Sequence, residues 1–361
     1  KVIMKLERKP GAIFTSAVLS IGLLTSSMGF AGQFDGVTLR VATWGGSWKE
    51  NMVQTIVPKF EALGGKIEFV TGSPQANLAK LIAARGKAPF DVMETLDAQE
   101  KEFFATNELI QKIDLSQLTN KEYLDDWQYS DWRVASWSTQ ELICYNREKY
   151  AELGLPAPTT YKDLANEKLA GRVVIPDITS GGGFANFGAI AYAAGGNEQN
   201  VAPGLEVIKS LNSLKFWSRG GEVVTQFESG DVYAAVVHAG WCLRARNAGS
   251  PVDTVHPVIT GTSHVGVGKY GWLVIPKHSK IPEAASWFIN EYQEPEFQML
   301  YAKKSGVVPT NRKSISQLAS DPTFAEMLEL DPAKIGNQLQ IDYKKADTSD
   351  WIDQWNRSVS Q

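Results

Sequence analysis

The chain has 361 residues, 43% of them hydrophobic and 21% charged, with 36 basic residues against 40 acidic ones. A net charge of −4 argues against nucleic-acid binding, where a basic face supplies most of the affinity. The length exceeds what one hydrophobic core usually covers, so two domains are expected.

In chain order, Lys1, Lys5, Arg8 and Lys9 make a basic start before the apolar run 12–24. That run of about a dozen residues is too short for the roughly 20 that a membrane helix needs. It leads to Gly29 and Ala31, small residues where a signal peptidase reads. Residues 1–31 therefore read as a signal peptide cleaved after Ala31, and no cysteine near the cut suggests a lipid anchor. Losing four basic residues and one acidic one would take the charge to about −7. The expected localisation is periplasmic.

Residues 37–43 alternate like a strand and run through Trp44-Gly45-Gly46 into a helical pattern opened by Ser47, with Met52, Ile56, Phe60 and Leu63 on one face. A second unit repeats this, with a strand at 67–70 and a helix capped by Ser73. A third strand, 90–93, ends at Glu94, and a helix carrying Phe103, Phe104, Leu109 and Ile110 follows. Short links between alternating strands and helices imply a mostly parallel sheet covered on both faces. The extended stretch 134–146 reads as a crossover into another lobe. That lobe holds a strand at 172–175, helices at 183–194 and 204–217, strands at 222–225 and 232–237, and a helix at 241–248. The chain returns through the glycine-rich 261–271 into the strand 272–276, and helices from Pro282 onward complete the first lobe. The expected architecture is an α/β protein of two lobes, residues 36–137 with 266–361 and residues 138–265, joined by two hinge crossovers. Cys144 and Cys242 can pair in one way only, and two free buried thiols are the equal alternative.

Several runs resemble the bacterial extracellular solute-binding proteins of the spermidine/putrescine-binding type, a branch of the type II periplasmic binding fold. They are residues 39–46, Phe90-Asp91-Val92, Cys144-Tyr145-Asn146 with 153–164, and the stretches 171–177, 227–235 and 273–277. The resemblance spans nearly the whole chain after residue 31. It implies a non-enzymatic, monomeric receptor that captures a small polar organic solute, a polyamine-like or other cationic or zwitterionic amine, and delivers it to the permease subunits of an ABC transporter, with no cofactor. A tryptophan in the position of Trp44 typically stacks on the ligand in that family. The chain departs from the polyamine-binding pattern twice: Lys269-Tyr270-Gly271-Trp272 stands where an acidic residue is usual, and His238-Ala239-Gly240 where an aromatic one is.

Ligands of open α/β sheets bind beyond the carboxyl ends of strands. That criterion selects Trp44, Glu94, Asp97, Asp177, Thr179, Ser180, His238, Trp241 and Trp272. The carboxylates suit an ammonium group, and Trp241 with Trp272 suit opposite walls of an aromatic box for an organic cation. A carboxylate or phosphonate would instead use the amides of 181–183 and Lys269. A metal site is not expected, because His238 and Cys242 lack further ligands nearby. Nor does any Gly-x-Ser-x-Gly elbow support a secreted hydrolase.

Overall fold

The computed structural model describes residues 32–104 and 109–359, so the expected signal peptide lies outside the described residues. Its strands are β1 (Thr38–Thr43), β2 (Lys66–Thr71), β3 (Val92–Leu96), β4 (Ile110–Gln111), β5 (Tyr129–Ser130), β6 (Arg133–Asn146), β7 (Val173–Pro176), β8 (Lys215–Trp217), β9 (Ala234–His238), β10 (Val252–Val255) and β11 (Val267–Pro276). The main path of the sheet runs β2-β1-β3-β11-β6-β9-β7-β8. Each wing is parallel: β1 pairs with β2 and β3 at one end, and β7 pairs with β8 and β9 at the other. Parallel neighbours need helical crossovers on the faces, which is why β3 and β7 are buried along their whole length.

The two middle strands run antiparallel to their neighbours and tie the wings together. β6 is 14 residues long, about 45 Å at roughly 3.3 Å per residue. Its first half pairs with β11, and its second half with β9 and β10. This is the crossover expected at 134–146. β11 returns the chain and begins at Val267, earlier than the expected Trp272. Glycine lets it do so at Gly271, where a Cβ would lie 2.4 Å from Cε2 of Trp137.

Three expected elements are corrected. The helix expected over 204–217 is Ala202–Ser210, after which Asn212 turns with φ of 45° and Lys215–Trp217 joins the sheet as β8. The strand expected at 222–225 is a helix, Gly221–Glu228, because Val223 and Phe227, four apart, bury the same face. Leu109 and Ile110 are not helical: the helix covers Glu100–Phe104, and Ile110–Gln111 is β4, paired to β11.

The segment after Pro282 divides between the wings. Helices Pro282–Tyr292 and Pro295–Ser305 pack on β1 and β3, sharing a core with Leu39, Val41, Met52, Phe60 and Val92. Thr310, Asn311 and Arg312 still bond to the first wing at Gln298, Gln293 and Asp125, and from Ile315 onward the chain packs mainly on the other wing. Leu318, Phe324 and Met327 join Val237 and Cys242, while Trp351 and Trp355 cover Phe187 on helix Gly183–Ala193. Gly306 and Gly240 make this third passage possible, since a Cβ on Gly306 would sit 2.3 Å from the Gly240 Cα. Cys144 on β6 and Cys242 on helix Ala239–Asn247 form a disulfide, with Cα atoms 5.7 Å apart.

Candidate functional site

Four helices begin where strands end, and their first residues converge. Helix Ser47–Ala62 follows β1, Gly183–Ala193 follows β7, Gly221–Glu228 follows β8, and Ala239–Asn247 follows β9. The residues capping these starts, Gly46, Gly182, Gly220 and His238, all line one cavity of about 750 Å³. The three glycines offer no capping side chain. The positive ends of four helix dipoles are thereby gathered around the cavity.

Tryptophans make most of the apolar wall. Trp44 stands at the end of β1 and reaches the loop after β7, its ring tip 3.9 Å from where a Gly181 Cβ would lie. Trp48, one turn further on, packs edge-on against Trp137 at 5.9 Å and Tyr301 at 5.0 Å. The buried indole N–H groups of Trp44 and Trp48 have no partner among the described residues. Trp241 fits against a bare Gly220, where a Cβ would fall 2.0 Å from its Nε1. Trp217 closes the wall at the end of β8.

The polar groups divide into a satisfied set and an open one. Lys269 on β11 is buried with Nζ 3.0 Å from Glu141 Oε1, and it donates to the Gly181 carbonyl at 2.8 Å. Glu141 also accepts from Thr139 and Asn186. His238 accepts the Gly240 N–H on Nδ1 at 3.1 Å, which puts the remaining ring proton on Nε2. Burial, then the Lys269 and Arg244 cations, hold its pKa well below the ordinary value, so the ring is neutral. Glu222 is the acidic residue among the described lining, and Lys215 engages it at 2.8 Å. Arg244 lies over the Trp241 ring at 4.2 Å.

Of the residues selected from sequence, the cavity brings together Trp44, His238 and Trp241. The other six lie elsewhere. Glu94 is 1% exposed inside the first wing, where Thr43, Trp137 and Tyr292 donate to it. Asp97 accepts from the Tyr270 and Ala98 amides. Asp177 folds back on Thr179, taking both its N–H and its hydroxyl. The Ser180 hydroxyl is buried without a partner and off the wall. Trp272 cannot wall an aromatic box with Trp241: it is 4% exposed, with the Arg133 guanidinium 3.8 Å above its ring. Trp48 and Arg244 were missed, although each follows a selected tryptophan by about one helical turn, the spacing that keeps side chains on one face. The loop 217–221 escapes a sequence reading because residues 204–217 read as one helix and 222–225 as a strand, whereas they form a helix with β8 and a second helix.

A strand-end cavity between two parallel wings joined by crossing strands defines a fold of the type II periplasmic binding class. The profile described as "Bacterial extracellular solute-binding protein" matches residues 56–326, and the chain belongs to that family. No curated protein sequence matches it. Among solved structures it is similar to an ABC transporter protein from Clostridium perfringens, with 22% identity, a TM-score of 0.71 and coverage of 89% of this chain and 99% of the other. It is also similar to an ABC transporter substrate-binding protein from Bradyrhizobium japonicum (17%, 0.72, 90% and 99%). A third is the PBP MotA from A. tumefaciens B6 in complex with glucopine (19%, 0.68, 88% and 98%). At these identities the likeness shows the fold.

Proposed function

We propose that the chain is the periplasmic receptor of an ABC transporter, capturing one small organic solute by closing two lobes around it and presenting the closed form to the permease in the inner membrane. The observation that carries this is the cavity itself. Loops after β1 form one wall and loops after β7, β8 and β9 the other, so a guest touching both favours the closed arrangement by its differential affinity. In this reading one lobe comprises 36–137 with 266–314, and the other 138–265 with 315–359, following the packing of the closing helices. Trp44, Trp241 and His238 contact the solute, and Glu94, Asp97, Asp177, Thr179, Ser180 and Trp272 support the walls from behind.

A polyamine fits this wall poorly. It would need several free carboxylates, whereas Glu222 is already engaged by Lys215 and Glu141 by Lys269.

Thermal-shift screening of the purified protein against amines, amino acids and organic acids tests the reading, because a solute that binds the folded state raises its apparent stability. Hits should reduce the radius of gyration in solution scattering, and Trp44→Ala should weaken them by about 1–3 kcal/mol, the range for stacking on flat groups. A binder that leaves the scattering curve unchanged and binds Trp44→Ala equally well would remove capture by closure.

A further inference from the structure

Arg244 is a cation that the cavity does not answer. It sits on helix Ala239–Asn247, one turn past Trp241, half-buried on the cavity wall. No ion pair with a carboxylate is formed by it among the described residues; burial alone pulls its pKa down. The other basic groups of the wall differ. Lys269 is paired with Glu141 and bonded to the Gly181 carbonyl. Arg219 has an 89% exposed side chain beside Glu222, in water that screens it.

Removing a guanidinium from water without a counter-charge is unfavourable, and an incoming anion relieves that cost. Trp241 covers one face of Arg244, leaving the N–H edges to grip a planar carboxylate with two parallel bonds. The neutral His238 can add an Nε2–H donor, which an imidazole with its proton on Nδ1 could not. Around this polar end stand Trp44, Trp48 and Trp241, a wall suited to an apolar or planar body.

We infer that the solute is an organic monoanion, its carboxylate held by Arg244 and its body packed against the tryptophans. This rests on the solute-capture reading and adds to it a charge, a count of one, and the residue responsible.

The test compares benzoate and phenylacetate with benzamide, phenylacetamide, putrescine and spermidine, by thermal shift and calorimetry on the purified protein. The acids bind, their amides bind about ten- to a hundredfold more weakly, and Arg244→Met abolishes the difference while Arg244→Lys retains part of it. The acid-against-amide comparison needs no substitution, so it stands even if Arg244→Met folds poorly. Amines that bind in preference to acids, or acids whose affinity survives Arg244→Met, overturn the assignment and leave solute capture standing. Silence of every probe at millimolar concentration also overturns it, and silence across the wider solute screen takes capture down as well.

Discussion

The Trp137 indole N–H donates to Glu94 at 2.7 Å, tying a residue of the cavity wall to a carboxyl that forms no ion pair among the described residues, in the core of the first wing. Thr43 and Tyr292 donate to the same group, and burial pushes its pKa up against those three bonds. Glu94→Gln keeps the shape but turns an amide donor toward converging donors. Its expected cost is about 1–3 kcal/mol, the penalty for leaving a buried donor unsatisfied. Guanidinium unfolding followed by tryptophan emission measures it. A stabilised variant would mean that desolvation of the carboxylate outweighs its bonds.

Asp97 gives a pH signature. Its pKa is raised to about 6, chiefly by burial, against the bonds from Tyr270 and Ala98 and the nearby Lys269 and Arg133. With the folded pKa above the ordinary 3.8, the folded state holds the proton longer than the unfolded one. This group therefore favours folding at low pH and loses that effect as pH rises from about 4 to 6. Full linkage would make the change about 3 kcal/mol, but Asp97 is only half-buried by surface area, so about 1–2 kcal/mol is expected. The Asp97→Asn variant should gain stability relative to the native protein across that window, as urea midpoints at pH 4, 5, 6 and 7 would show. A constant difference would place the titration elsewhere.

Periodicity made the wings legible. Residues 37–43, 67–70 and 90–93 alternate or run apolar over strand lengths, and Ser47 and Ser73 open helices with one apolar face. Periodicity failed where two readings share a pattern: Glu222-Val223-Val224-Thr225 is rich in β-formers, yet the partner of Val223 is Phe227, one helical turn away. The site was half legible for a similar reason. Strand ends locate Trp44, His238 and Trp241, but which carboxylates face the cavity depends on side-chain direction, and β3 turns Glu94 inward to meet Trp137. The role of Arg244 lies in the partner it lacks, which no local pattern announces.

The Cys144–Cys242 bridge pins helix Ala239–Asn247 to β6, and that helix carries both Trp241 and Arg244. With the cysteines 98 positions apart in sequence, closing the loop contributes about 4–5 kcal/mol in the chain-entropy model. Paired Cys144→Ala and Cys242→Ala substitutions should lower Tm by many degrees and weaken solute binding, because the helix start is freed from the sheet. An unchanged Tm would show that side-chain packing around Val237, Leu243 and Val252 holds the helix unaided.

Lys269 and Glu141 provide the sharpest separation between architecture and binding. Both are buried, Glu141 fully and Lys269 to 7% exposure, and both lie on the strands that cross between wings. Lys269→Met leaves Glu141 as an uncompensated buried charge, at an expected cost of about 3–5 kcal/mol. Glu141→Gln leaves Lys269 with only the Gly181 carbonyl and exposes its charge to the cavity, so it should also destabilise the fold but strengthen anion binding. In the double variant Lys269→Met with Glu141→Gln the buried charges disappear together, and the combined loss should fall well short of the sum of the single losses. Chemical denaturation of the four proteins measures the coupling. Additive losses would mean that water or another group already compensates Glu141. In that case Lys269 is not committed to it, and a second cation is free to meet the solute beside Arg244.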